Sequence, residues 1–167
     1  ILTAQPDDYD VKVNKAIALH ALKKYDDAIT LYQNLLSTKS DKTLQNNLND
    51  ALVSRGHEFV ASENYGKAIE DFKSAIKGGY TDGYVYYGLA RAYRATGNNT
   101  KASENYEKAI SIDPDKTVYS AEYSDFISSL YKPKVNVQST QGDGKDLPAI
   151  NLTLDNVEEL SLIHISE

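Results

Sequence analysis

The sequence predicts an all-α fold, a solenoid of stacked helical hairpins, on three observations. Residues 83–116 read as two short amphipathic helices joined by a tight turn at Gly97-Asn98-Asn99. The pattern recurs 34 residues earlier in 49–82, with Ala68, Phe72 and Ala75 beneath Ala102, Tyr106 and Ala109, and Gly56 and Phe59 beneath Ala90 and Tyr93. In 9–42, Tyr25-Asp26-Asp27-Ala28-Ile29-x-x-Tyr32-x-x-Leu35-Leu36 matches Tyr65-Gly66-Lys67-Ala68-Ile69-x-x-Phe72-x-x-Ala75-Ile76 position for position. A fixed period of this length marks hairpins that bury their apolar faces only by stacking on neighbours.

Taken in order, Ile1-Leu2-Thr3-Ala4-Gln5-Pro6-Asp7 lies in register with Ala109–Asp115, Leu2 on Ile110 and Pro6 on Pro114. Residues 1–8 are therefore expected to end an upstream repeat's second helix; a mature end after a removed leader is the rival reading. The first full repeat, 9–42, opens with a poorer helix, carrying Lys12 and Lys15 where later copies have larger apolar residues or Arg55. From Ala28 to Ala68 is 40 residues, and the surplus over 34 falls in the polar stretch 38–47. That surplus either lengthens the loop or adds turns to the next helix, in which case Asp41 caps it.

In the second repeat, 49–82, Gly78-Gly79 supplies the stop, since glycine takes the left-handed cap at low cost. In the third, 83–116, Tyr86, Leu89, Ala90 and Tyr93 share one face, as do Ala102, Tyr106, Ala109 and Ile110. The alanines stand where helix backbones approach closely, and a larger side chain there would cost about 1–3 kcal/mol by overpacking. Asp113-Pro114 ends the second helix, because the residue before proline disfavours helical geometry.

Residues 117–131 carry Tyr119, Tyr123, Phe126, Ile127 and Leu130 as one apolar stripe, with Ser120, Glu122, Ser124, Asp125, Ser128 and Ser129 on the remaining surface. This is expected to be a capping helix over the last hairpin; the first half of a fourth repeat is the alternative. Residues 132–159, with two prolines, two glycines and few large apolar residues, are expected to be a flexible linker. Gln141–Asp146 lacks the carboxylate spacing of a calcium loop. Residues 160–167 resemble a translated library-preparation adapter, with a natural short strand as the alternative, and are set apart from the fold.

Tyr86-x-x-Leu89-Ala90-x-x-Tyr93, Ala102-x-x-x-Tyr106 and Pro114 resemble the tetratricopeptide repeat signature, with Tyr86 in the usual tryptophan place. Leu52-x-x-Arg55-Gly56-x-x-Phe59 with Ala68-x-x-x-Phe72 is a second copy, departing in Arg55 for leucine and in having no proline at Tyr80. The resemblance covers residues 9–116. It implies a right-handed α-α superhelix with a concave wall that binds a peptide or protein. Some members clamp the acidic carboxy-terminal tails of chaperones with a lysine and an asparagine on one repeat and basic residues on another. Here Val13 and Ile17, then Tyr84 and Gly88, occupy those places, so that clamp is absent.

Composition narrows the function. The formal charge of −6 argues against nucleic acid as a main partner, because phosphate recognition wants a basic surface. No apolar run approaches the roughly 18 residues that span a bilayer. No cysteine means no disulfide framework or thiolate site. Outside the last eight residues the histidines are His20 and His57, too few for a metal site without converging carboxylates, so no metal or cofactor is expected. No catalytic motif is recognisable, and an enzyme is not expected.

The expected role is a protein–protein interaction scaffold. By periodicity the open face of the inner helices carries Val13, Ile17 and His20, then Asp50, Val53, His57 and Val60, then Tyr84, Tyr87, Arg91 and Arg94. Of these, Val13, Ile17, His20, Val53, His57, Tyr84, Tyr87, Arg91 and Arg94 are the expected partner-binding residues. Tyrosine and arginine dominate binding hot spots, and guanidinium pairs carboxylates, so the expected partner is an extended or helical peptide with apolar and acidic side chains. A helper or self-association domain of a longer enzyme, sensor or envelope-assembly protein is the alternative. Cytoplasm and bacterial envelope are both open.

Overall fold

The computed structural model describes residues 9–131, 134–139 and 150–155. The expected end of an upstream repeat at 1–8, the Gln141–Asp146 loop and the adapter-like residues 160–167 lie outside the described residues. Residues up to Tyr123 form one compact unit and those from Ser124 a second.

Along the first unit run α1 (Tyr9–Ala21), α2 (Tyr25–Thr38), α3 (Lys42–Ala61), α4 (Tyr65–Lys77), α5 (Gly83–Ala95) and α6 (Asn99–Ile112), followed by α7 (Thr117–Leu130). The helices pair as α1·α2, α3·α4 and α5·α6, and the hairpins stack through α2·α3 and α4·α5. This is the all-α superhelix of stacked hairpins that the period implies. Its core follows the repeat: Ala16, Ala28, Ala68, Ala75, Ala90, Ala102 and Ala109 are fully enclosed, and Tyr32, Phe72 and Tyr106 fill the space between them. Built on Gly56, a Cβ would stand 2.6 Å from the Phe72 ring, so any side chain at this crossing would force that buried ring to shift.

Each hairpin turns the same way. Lys23, Glu63 and Gly97 occupy one position and all take left-handed backbone, with φ of 58°, 62° and 75°. Behind each, the next amide reaches back to the helix: Lys24 N–H to the Leu19 carbonyl, Asn64 to Phe59 and Asn98 to Tyr93, at 2.8–2.9 Å. This double-bonded helix end needs one left-handed residue, for which glycine is the unstrained choice. The third turn uses glycine; the other two hold lysine and glutamate there.

The surplus between the first two repeats is helical. α3 runs 20 residues, and the Leu44 amide donates to the Asp41 carboxylate at 3.0 Å, so Asp41 is its cap. The added turns bury Leu44 and Leu48 and position Asn49, which is 1% exposed. Asn49 donates to the Gly78 carbonyl at 2.9 Å and accepts from Gln45 at 2.9 Å, tying the long helix to the end of α4. α4 closes at Gly79, whose φ is 95°.

Arg55, which stands where the third repeat has Leu89, has a defined task. Its Nε and one Nη hold both oxygens of Asp71 at 2.7 Å, and the other Nη reaches Asp26 at 2.6 Å. One guanidinium thus joins α3 to α4 within its hairpin and to α2 of the preceding one. These hydrogen bonds hold the guanidinium charged, its pKa raised despite partial burial.

Two expectations need correction. Tyr119 stacks on Tyr87 at 4.6 Å and Tyr123 on Tyr106 at 5.6 Å, as the apolar stripe of α7 requires, but Glu122 is not on the solvated side. It falls at i+3 from Tyr119, within the stripe, and is drawn into hydrogen bonds with α5 and α6. Leu130, expected in the stripe, is 38% exposed. Within residues 132–159, expected as flexible linker, β1 (Lys134–Ser139) and β2 (Ile150–Asp155) form an antiparallel pair. Val135 pairs Leu154 and Val137 pairs Leu152, so period-two alternation outweighs the proline and glycine content in these two stretches.

Candidate functional site

The inner helices α1, α3 and α5 follow one another along the array, and equivalent positions recur on each. The position held by Ile17, His57 and Arg91 is the clearest. Ile17 is 45% exposed, His57 is half-buried, and the Arg91 side chain is 43% exposed. The position one turn earlier, held by Val13, Val53 and Tyr87, behaves differently. Val13 is half-buried, but Val53 and Tyr87 are only 3% and 7% exposed. Val60 is likewise buried, while Asp50 is exposed.

Val53 and Tyr87 therefore do not belong to an open face. The reason is packing: α3 touches α2, α4 and α5, and α5 touches α3, α4 and α6, so facing inner helices close over residues that one hairpin alone would leave open. Tyr87 is further covered by Tyr119.

His20 is half-buried and lies 3.3 Å from Ser54 Oγ, bridging the first two inner helices. His57 is more firmly placed. Its Nε2 donates to the Tyr84 carbonyl at 3.2 Å, its ring stacks on Tyr84 at 3.7 Å, and Phe72 meets it edge-on at 4.9 Å. Burial lowers the imidazole pKa to about 4, and the Arg91 charge adds to the effect against the Tyr84 hydrogen bond. His57 is thus neutral at pH 7 and serves as a platform beneath Tyr84, itself 44% exposed.

Arg91 and Arg94 lie in the C-terminal half of α5, Arg94 in its last turn, and are both exposed. Arg91 lies over the Tyr87 ring at 5.6 Å, with its Nε 3.6 Å from Glu122 Oε2. Arg94 interacts with the Tyr106 hydroxyl, whose pKa burial nonetheless raises. The same carboxylate accepts from Tyr87 Oη at 2.6 Å and from Tyr106 Oη at 3.3 Å. Burial, then the bond to Glu122, pushes the Tyr87 hydroxyl well above its ordinary pKa. Around this cluster is a cleft of about 370 Å³ lined by Val60, Tyr65, Arg91, Arg94, Tyr106 and Glu122. Its donors converge on a carboxylate, at present one that the chain supplies.

Glu122 and Tyr65 were not among the expected site residues. Glu122 carries a signal in its own helix, because Tyr119, Glu122, Tyr123 and Phe126 fall at i, i+3, i+4 and i+7. Tyr65 opens an outer helix, and no pattern in its own repeat brings it to the inner wall. Among the described residues no group of three or more histidine, cysteine or acidic side chains could hold a metal ion, and no helix is long and apolar enough to cross a membrane.

Comparison with known proteins bears on the architecture. Residues 13–45 and 83–116 match family models described as tetratricopeptide repeats. Over 68 residues the chain is 34% identical to anaphase-promoting complex subunit 3 of Schizosaccharomyces pombe, a stretch covering 41% of this chain and 10% of that protein. The chain thus spans about a tenth of that relative's length. Among solved structures it resembles the C-terminal repeat domain of a Plasmodium falciparum FK506-binding protein, with TM-score 0.56, 20% identity, and 75% and 94% of the two chains covered. It also resembles the first such domain of Spaghetti (RPAP3) bound to the HSP90 peptide SRMEEVD, with TM-score 0.51, 17% identity, and 79% and 100% covered. At these identities the structural likeness is one of fold.

Proposed function

We propose that this chain, a tetratricopeptide-repeat protein and so an interaction scaffold, takes an extended peptide of a partner protein along the wall of α1, α3 and α5, with an acidic side chain of that peptide at the end of α5. The observation that carries this reading is the cleft beside Arg91 and Arg94, where the Arg91 guanidinium and two tyrosine hydroxyls converge on the Glu122 carboxylate and Arg94 meets the Tyr106 hydroxyl. Ile17 and Tyr84 add exposed apolar and aromatic surface on the same row of helices. The groove is narrower than periodicity implies, since Val53 and Tyr87 are enclosed. Its contact set is Val13, Ile17, His20, Tyr84, Arg91 and Arg94, with His57 as support.

Glu122 already satisfies part of the charge, so an incoming carboxylate shares or replaces its donors. The recognition differs from the chaperone-tail clamp, because Val13, Ile17, Tyr84 and Gly88 hold the clamp positions. The test is titration of the full chain with synthetic peptides that pair apolar residues with glutamates at varied spacing. A peptide that binds should lose about tenfold or more in affinity to the Arg91→Ala/Arg94→Ala variant, as loss of charge-assisted hydrogen bonds entails. Unchanged affinity in that folded variant, or no binding by any acidic peptide, rejects the reading.

A further inference from the structure

At the opposite end of α5 the chemistry reverses. Tyr80, Tyr84, Tyr87 and Tyr119 wall a second cleft of about 420 Å³, whose rim carries Asp82 and Asp113. Three of these rings belong to one nearly parallel series that begins at His57. His57 to Tyr84 is 3.7 Å and Tyr87 to Tyr119 is 4.6 Å, both in close stacking contact. Between them, Tyr84 and Tyr87 stand 6.4 Å apart at 23°, so their faces are only partly covered by each other. Tyr84 is also the exposed member, at 44%.

We infer that this cleft receives an arginine side chain of a partner protein. An aromatic face presents negative charge, and a cation within about 6 Å of a ring centroid is attracted to it, guanidinium more often than ammonium. A planar guanidinium laid against the exposed part of the Tyr84 ring comes within that reach of it, with the enclosed Tyr87 ring as the backing of the wall. Among the described residues the chain does this with its own Arg91, 5.6 Å from Tyr87, and with Arg55, 5.6 Å from Phe59. The rim supplies the counter-charge. Asp82 and Asp113 are fixed by donors from the backbone, Tyr84 N–H at 2.8 Å and Gly83 N–H at 3.1 Å, and only Lys116 among the lining residues opposes them. Asp50 adds to the negative field, since it and Asp82, after burial, push the Tyr80 hydroxyl up to about 12. A flat aromatic wall with a net negative rim fits a delocalised planar cation better than a compact, strongly hydrated ammonium.

The two clefts meet at Tyr87, whose ring walls this one and whose hydroxyl serves the other, but they take side chains of opposite charge. The probe is acetyl-Gly-Arg-Gly-amide, titrated against the labelled full chain by amide and side-chain NMR, with the lysine and all-glycine tripeptides as comparators. Saturable shifts should appear at residues 80–88 and 113–119 with the arginine peptide, and more weakly with lysine. Tyr84→Phe, which keeps the ring face, should preserve binding, whereas Tyr84→Leu should weaken it about five- to tenfold. Lys116→Gln, which removes the competing cation, should strengthen it severalfold. Equal binding by Tyr84→Leu, equal or tighter binding of the lysine peptide, or no saturable shift at these residues would overturn the inference.

Discussion

Replacing Arg55 with leucine, the residue that the third repeat carries as Leu89, should destabilise the array by about 3–5 kcal/mol, although it restores the common repeat pattern. The magnitude follows from what remains. Asp71 is 6% exposed and has both oxygens bound by Arg55 at 2.7 Å, so the substitution strands a buried carboxylate. Asp26, whose side chain is 84% exposed, contributes little, and Asp26→Asn should cost under about 1 kcal/mol. The third repeat pairs Leu89 with Asn105 at the two equivalent positions. Arg55→Leu with Asp71→Asn therefore imports a combination the chain already tolerates, and the double variant should recover to within about 1 kcal/mol of the parent. Urea unfolding of the parent, both single variants and the double variant gives the cycle. Single-variant losses that simply add, within about 0.5 kcal/mol, would show that Arg55 does not hold Asp71 and would refute the reasoning.

Two further predictions concern stability. His57 has a folded pKa of about 4 because burial disfavours its charged form. Its contribution is therefore fully present above the ordinary value of about 6.5 and is lost as pH falls toward 4, a loss of about 2 kcal/mol after allowing for partial exposure. Urea unfolding near pH 7 and near pH 4.5 should show it, and His57→Gln should remove that component; an equal acid loss in the variant defeats the assignment. Glu63 has left-handed backbone at φ 62° where the third repeat has Gly97, so Glu63→Gly should stabilise by about 1 kcal/mol while Gly97→Ala costs a similar amount. A thermal midpoint that falls in Glu63→Gly contradicts the strain argument.

Local rules made most of the helix ends legible. Asp41 as a cap, Gly79 as a stop and Gly97 as a turn each follow from side chain and backbone within a few residues. The enclosed alanines were legible as well, because a period of 34 forces equivalent positions into equivalent surroundings. What escaped is non-local. Arg55 looked like a defect in the signature until Asp71 and Asp26, from two other helices, came beside it. Val53 and Tyr87 read as open because helical periodicity describes one hairpin, while their burial depends on the helices stacked on either side. Glu122 reads as surface by its charge, although its spacing puts it in the apolar stripe. The strands at 134–139 and 150–155 were visible as alternation, and composition obscured them.

A tower of look-alike storeys needs some way to number its floors. The contacts between storeys provide one, since Arg55 reaches Asp26 and His20 meets Ser54 where the next level has Leu89 with Gly66 and Val60 with Gly88, pairs that cannot bond through their side chains. A hairpin that docked one level out of place while the chain was folding would forfeit both contacts. Chains built from near-identical parts are prone to such mis-assembly. These departures from the repeat pattern are thus address labels, and they favour one order of the stack.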